Sequence, residues 1–188
     1  DTISIDGWGG EFWRREFFNK LLYFGKKAIL SGNADYVSKL LRMNRAAIFN
    51  AKIQNKLEQG EQQATRSLME HLPPPDALGL VNWLALFAIH TKLPNAMGPE
   101  QARIDSLCHN YMPLSQYSLL QNLFNIPVNY RKNGRLFKDI IQSISPELTR
   151  FPLIKNVTPK PFRMTSMQFR VWEKLHHHFL LSLNLKYL

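Results

Sequence analysis

The chain opens with Asp1-Thr-Ile-Ser-Ile-Asp-Gly7-Trp-Gly-Gly-Glu11-Phe-Trp-Arg14-Arg-Glu-Phe-Phe18, and this stretch decides the fold that the sequence predicts. Polar and apolar residues alternate from Thr2 to Ile5, and several of them are β-branched, which predicts a short strand. Three glycines then follow within four residues and predict a tight loop. Bulky apolar residues from Phe12 onward predict a helix, so the order is strand, glycine-rich loop and helix.

A strand, a glycine-rich loop and a helix in this order can hold an anion. Backbone N–H groups at the start of a helix carry partial positive charge, and glycine lets a ligand approach the backbone closely. Glu11 lies where the loop ends, so its carboxylate either caps the helix or helps to hold a metal–phosphate group. The alternative is a strand-to-helix turn that binds nothing, because a lone glycine-rich loop is a common feature.

The same stretch resembles the second conserved motif of asparagine-synthetase-type domains, which has the form S-G-x-G-x-D-E-L-F-G-G-Y after a strand. Gly7, Gly9 and Gly10 fall on the small positions of that motif, and Glu11 falls on the family aspartate. The resemblance implies that the three glycines bind the cofactor ATP through their backbone amides. It also implies that Glu11 is a catalytic residue that acts through Mg²⁺.

Two later segments are similar to the same family. Tyr111-Met-Pro-Leu-Ser115 stands where the family has an R-x-P-F-L-D-like segment, and Ser145-Pro-Glu-Leu148 stands where it has a proline–glutamate–leucine helix. Between them lie Arg131, Lys132 and Arg135, which the resemblance makes catalytic candidates. A cationic side chain there would neutralise the charge that develops on a pyrophosphate leaving group. The alternative is a solvated basic loop beside the turn at Asn133 and Gly134.

The chain also departs from the family pattern. Ser31-Gly-Asn-Ala-Asp35 is close to the family's S-G-G-x-D-S pyrophosphate loop, but Asn33 replaces a glycine, and we expect a helix–helix junction there. Trp8 replaces a catalytic glutamate of asparagine synthetases, and Ser115 replaces an aspartate. The resemblance therefore implies ATP-dependent activation of a carboxylate, followed by amide formation, with an unidentified acceptor.

The expected fold is mainly α, with one short N-terminal strand. By resemblance it is the helical C-terminal part of an α/β adenine-nucleotide alpha-hydrolase-like synthetase domain. We expect residues 1–188 to form a single domain whose upstream part, with the pyrophosphate loop, belongs to the same protein or to another subunit. The absence of a recognisable partner for the opening strand favours such an upstream part, because isolated strands do not persist in water. We expect the chain to be inactive by itself.

Composition limits the other function classes. The 188 residues are 45% hydrophobic and 12% aromatic, which is enough for a sizeable core, and the lone Cys108 is most simply explained by a reducing cytoplasm. The sequence contains no run of about 18 apolar residues, so it predicts no membrane span. The net charge of +10 fits solvated helix faces or an anionic partner. Two alternatives to the ligase are a helical interaction domain without catalysis and a nucleic-acid-binding domain, which the missing recognition motifs disfavour. A homo-oligomer is also possible.

Apolar spacing predicts the helices. We expect helices at 12–31, 35–58 and 61–71, then the most apolar helix with Asp76 as its N-cap, and a last helix at 166–187. The segment 153–165, which is rich in proline, is expected to be extended. Three consecutive histidines at 176–178 point in different directions on a helix, so they cannot all bind one metal ion.

Overall fold

The computed structural model of the chain describes residues 3–14, 17–42, 48–155, 158–165 and 167–175. These residues are mainly helical and also contain two small sheets of two strands each. They divide into two compact units, Asp1–Val128 and Asn129–Leu188. The mainly helical class is confirmed. The expected single domain at 1–188, as part of a longer synthetase domain, stays a prediction.

The first unit contains two strands and most of the helices. Its strands are β1 (Ile3–Ile5) and β2 (His109–Tyr111). Its helices are α1 (Gly10–Arg14), α2 (Asn19–Phe24), α3 (Lys26–Leu30), α4 (Ala34–Leu41), α5 (Ala51–His71), α6 (Pro75–Leu78), α7 (Leu80–Lys92), α8 (Gly98–Asp105) and α9 (Tyr117–Leu120). Short 3₁₀ turns lie at Pro113–Ser115 and Leu123–Asn125, and a π-helical turn lies at Leu93–Met97.

The second unit contains a short hairpin and one long amphipathic helix. Helix α10 (Val128–Arg131) lies at the boundary, and α11 (Arg135–Ile144) follows a 3₁₀ turn at Lys132–Gly134. A 3₁₀ segment at Pro146–Arg150 leads to the strands β3 (Leu153–Lys155) and β4 (Thr158–Lys160), which pair antiparallel. Residues 167–175 are helical. The remainder of the predicted last helix, with the histidines at 176–178, lies outside the described residues.

Helix α7 lies at the centre of the core of the first unit, as its apolar sequence predicts. Trp83, Leu84 and Phe87 are buried, and the rings of Trp83 and Phe87 stack with their centroids 5.1 Å apart. The indole N–H of Trp83 donates a hydrogen bond to the carbonyl oxygen of Pro73 at 3.1 Å, so the polar end of this buried ring is satisfied. Leu21 of α2 also belongs to this core.

The single helix predicted at 12–31 is wrong, because the structure has three short helices there, α1, α2 and α3. Phe18 adopts a left-handed backbone conformation with φ of 55°, which an uninterrupted helix does not permit. Its ring packs edge-on against Phe87, with the centroids 5.5 Å apart. Contact with the buried ring of Phe87 offsets the backbone strain at the partly buried Phe18, and apolar spacing alone gives no sign of it.

The division predicted between 35–58 and 61–71 is also wrong. Helix α5 is continuous from Ala51 to His71 and begins at a new N-cap, Asn50, whose Oδ1 accepts a hydrogen bond from the amide of Ile53 at 3.0 Å. Gly60 lies inside this helix and is exposed. An exposed glycine costs a helix only about 1 kcal/mol, which a long helix tolerates.

The helix start predicted for α4 is confirmed, whereas the N-cap predicted for α7 is wrong. Asn33 is the N-cap of α4, because its Oδ1 accepts a hydrogen bond from the amide of Tyr36 at 3.0 Å. The helix–helix junction predicted at Ser31–Asp35 is therefore confirmed. Asp76, expected as the N-cap of α7, lies instead within the short helix α6. Gly79, with φ of 73°, separates the two helices and is the N-cap of α7.

The expectation of one strand without a partner is wrong. Strand β1 pairs in parallel with β2, with Ser4 opposite Asn110. Parallel strands point the same way, so the carboxyl ends of β1 and β2 lie at one edge of this small sheet. The extended segment predicted at 153–165 is confirmed in part, because it begins with the β3–β4 hairpin.

Candidate functional site

The pairing of β1 with β2 brings together the glycine-rich loop and Tyr111–Ser115, two of the segments on which the predicted synthetase resemblance depends. The amide of Asp6 donates a hydrogen bond to the carbonyl oxygen of Tyr111 at 2.9 Å, which continues the pairing past the end of β1. The glycine-rich loop at 7–10 and the turn at 112–115 therefore leave the sheet side by side. In open α/β sheets, ligands bind at the carboxyl ends of the strands, where these two loops lie.

Side-chain hydrogen bonds tie the two loops to each other. The indole N–H of Trp13 donates to the carbonyl oxygen of Leu114 at 3.1 Å, and the hydroxyl of Ser115 donates to the carbonyl oxygen of Trp8, also at 3.1 Å. Trp13 is buried, whereas the ring of Trp8 is partly exposed. The hydroxyl of Ser115 thus supplies a donor that fastens the glycine-rich loop.

The three glycines of the loop have different surroundings. Gly9 has a φ of 92°, and a Cβ there would collide with the hydroxyl of Ser115 and lie 3.2 Å from the carbonyl group of Leu114. Gly10 is buried, and its amide already donates to the carbonyl oxygen of Gly7 at 3.1 Å. Gly7 is exposed and nothing lies within 4 Å of a Cβ built on it. The space that the missing side chain of Gly9 leaves is occupied by Ser115 and Leu114 of the same chain. Cofactor binding by the three glycines stays a prediction.

Glu11 lies in the first turn of α1 and is paired with an arginine. Its Oε1 is 3.3 Å from Nη2 of Arg14, and both side chains are partly exposed. Beside it is an apolar cavity of about 10 Å³, bordered by Phe12 and Leu22, which has no room for a nucleotide. A magnesium ion bound by Glu11 would compete with Arg14 for the carboxylate. The described parts of the chain contain no group of three or more His, Cys, Asp or Glu side chains that could hold a metal ion.

The basic residues predicted to contact phosphate lie in the second unit and have unequal exposure. Arg131 is completely buried at the end of α10, so a ligand at the surface does not reach it in this conformation. Lys132 and Arg135 are exposed. Both of them line a groove of about 530 Å³ that contains two further basic residues, Lys138 and Arg163. We call this feature the basic groove and define it by Lys132, Arg135, Lys138 and Arg163.

Contacts within the second unit fix two of these cations. The guanidinium of Arg135 lies over the ring of Tyr130, 4.3 Å from its centroid, and its Nε is 3.4 Å from Oδ2 of Asp139. The ammonium group of Lys138 donates to the carbonyl oxygen of Met164 at 3.1 Å, which joins α11 to the segment after β4. Partial burial removes water from Lys138 and lowers its pKa below the usual 10.5.

Sequence reasoning found only half of the basic groove. Lys138 lies one helical turn after Arg135, so a helix predicted through this region would have placed both on one face. Arg163 is brought to the groove by the hairpin and the chain after it, and no local pattern signals that approach. Asp139 is the one acidic residue among those that line the groove within the described residues.

We compared the chain with protein-family models, with curated protein sequences and with solved structures, and none of the three comparisons found a match. The resemblance to asparagine synthetases accordingly stays a prediction. Among the helices of the described segments, none has both the length and the apolar character needed to cross a bilayer.

We predict that Gly9→Ala destabilises the first unit. Alanine would have to adopt a left-handed backbone conformation and would press against Ser115, so the free energy of unfolding should fall by about 1–3 kcal/mol. Gly7→Ala is the matched control, because a Cβ meets nothing there, and it should change stability by less than about 0.5 kcal/mol. Urea unfolding followed by circular dichroism measures both. Equal effects of the two substitutions would contradict the packing of the loop described here.

We predict that Lys138 makes stability depend on pH in the alkaline range. Between the lowered pKa of folded Lys138 and the unfolded value of 10.5, the unfolded chain binds more protons. The desolvation penalty therefore disappears as pH rises through this window, and wild type should gain stability relative to Lys138→Met. Urea unfolding of both proteins at about pH 8 and about pH 10 measures this difference. A difference that stays constant, or that moves in favour of the variant, would contradict the burial of this lysine.

Proposed function

We propose that the chain is the C-terminal, mainly helical part of a protein that resembles asparagine synthetase and uses ATP to convert a carboxylate into an amide. One observation carries the proposal. Two segments that each resemble a family motif, the glycine-rich loop and Tyr111–Ser115, meet at the carboxyl edge of a parallel strand pair. In open α/β sheets, which contain more strands than this pair, nucleotides bind at the carboxyl edge.

The proposed reaction has two steps. A carboxylate oxygen of the substrate attacks the α-phosphorus of ATP and expels pyrophosphate, and a nitrogen nucleophile then attacks the acyl carbon and expels AMP. The backbone at Gly9 and Gly10 would lie against the phosphates of ATP. The resemblance separately gives Lys132 and Arg135 the role of neutralising a pyrophosphate leaving group. A magnesium ion held by Glu11 together with phosphate oxygens would supply further charge neutralisation.

This division of roles assigns the missing parts of the site to a partner. The pyrophosphate loop and most adenine contacts would come from an upstream part of the same protein or from another subunit. We place the reaction in the cytoplasm because the one cysteine of the chain, Cys108, is free. We expect this chain to form no AMP by itself.

A second candidate is an interaction domain that keeps the fold without catalysis. Two observations favour it. The carboxylate of Glu11 is already paired with Arg14, and the space that Gly9 leaves open is filled by Ser115 of the same chain. Under this proposal the chain binds a protein partner and no step depends on Glu11.

Glu11→Gln separates the two candidates. In the longest protein that contains this chain, incubated with magnesium–ATP and a panel of amino acid carboxylates, AMP formation should fall by about 10²–10³-fold, because magnesium loses its carboxylate. Glu100→Gln is the matched control. Glu100 also forms an ion pair with the arginine three residues later, Arg103, and it lies outside the two loops. AMP formation that is equal in both variants, or that never appears in a folded protein, would contradict the ligase and favour the interaction domain.

A further inference from the structure

The basic groove concentrates positive charge that the described residues do not balance. Among the described residues that line it are four cationic side chains and a single carboxylate, that of Asp139. Oδ2 of Asp139 lies 3.4 Å from Nε of Arg135. Within the described residues, neither Lys132 nor Arg163 forms an ion pair. Like charges that share a concave surface repel one another, and an anion bound among them removes that repulsion.

Helix α11 adds to this charge. Arg135 is its first residue and Lys138 lies one turn later, and no acidic residue lies in the first turn. Cations at the positive end of a helix are electrostatically unfavourable, because that end attracts anions instead. The N-cap, Gly134, has no side chain to cap the helix, although the amide of Arg135 already donates to the carbonyl oxygen of Lys132. The helix start and the side chains of the groove thus favour the same kind of ligand.

The shape of the groove indicates the size of that ligand. One wall is a polar face of α11 and the other is the segment that follows β4, and Lys138 bridges them through the carbonyl oxygen of Met164. A volume of about 530 Å³ lies within the range of small-molecule sites and is larger than a diphosphate group needs. Asn129, Gln142 and Thr165 also line it and offer uncharged hydrogen-bonding groups.

We infer that the basic groove is a binding site for a small molecule that carries a diphosphate group, with Lys132, Arg135 and Arg163 as its phosphate contacts. Lys138 positions the two walls and adds charge. The guanidinium of Arg135 is already held over the ring of Tyr130, so ligand binding would cost little additional side-chain entropy at this residue. The polar lining around the phosphates would contact the organic part of the ligand.

This inference rests on the proposed function in one respect, that Lys132 and Arg135 contact phosphate. It adds Arg163 and Lys138, and it needs no catalysis. Binding of a diphosphate can therefore be measured with the 188-residue chain, whereas AMP formation is a separate measurement that depends on Glu11.

The test is calorimetric titration of the 188-residue chain with inorganic pyrophosphate, inorganic phosphate, ADP and adenosine at constant ionic strength. We expect pyrophosphate and ADP to bind, phosphate to bind more weakly, and adenosine not to bind. The double variant Lys132→Gln/Arg163→Gln should weaken pyrophosphate binding by at least about tenfold, because it removes two charge-assisted contacts from an exposed site. Both side chains are exposed, so the fold should survive, which circular dichroism verifies.

Two controls locate the site. Arg150→Gln removes an exposed cation of the same unit that does not line the groove, and it should change pyrophosphate affinity by less than about twofold. Glu100→Gln removes a carboxylate of the first unit that lies outside the groove, and it should also leave pyrophosphate affinity unchanged. No binding of pyrophosphate, or equal weakening by Arg150→Gln and by the double variant, would overturn the inference. Binding that survives in the double variant would overturn it as well.

Discussion

The parallel hydrogen bonding of β1 to β2 is the constraint on which the candidate site depends. It holds together two segments far apart in the chain, since Ser115 and Trp8 are 107 residues from each other. Once the strands are in register, the loops that follow them must leave the same edge. Gly9 then has to be a glycine, because the turn after β2 occupies the space of a side chain. The Trp13 and Ser115 hydrogen bonds lock this arrangement, so the loop geometry follows from the strand pairing.

The second unit forms its concave surface through contacts between residues that are closer together in the sequence. Helix α11 carries its polar residues along one face, and the segment after β4 closes over that face through the Lys138 hydrogen bond. The result is a concave surface of high positive charge, whereas the loops of the first unit are closely packed on each other. Of the basic residues predicted from sequence, Lys132 and Arg135 are available to a ligand there and Arg131 is buried. Burial therefore separates residues that a sequence pattern treats as equivalent.

Apolar spacing predicted the helical class and the central position of α7, because burial of a helix on most sides requires apolar residues on most sides. It failed where the deciding contact is distant in sequence or unfavourable locally. Phe18 interrupts the helix, and its ring packs against Phe87, which is 69 residues away in the sequence. Strand β2, His109–Tyr111, has no apolar alternation, so its pairing with β1 leaves no signal in composition. Arg163 joins the basic groove through the hairpin, which local propensity does not reveal. Lys132 and Arg135 were predicted through the resemblance, as residues that precede the Ser145–Leu148 segment, and not from a local pattern.

The most direct test of the central claim is an NMR measurement of the hydrogen bond that continues the β1–β2 pairing. The amide nitrogen of Asp6 and the carbonyl carbon of Tyr111 should show scalar coupling across the hydrogen bond, and the Asp6 amide should exchange slowly with solvent. This result would establish that the glycine-rich loop and the 112–115 turn share one edge. An Asp6 amide that shows no coupling and exchanges as fast as in an unstructured peptide would contradict the pairing, and with it the proposed site.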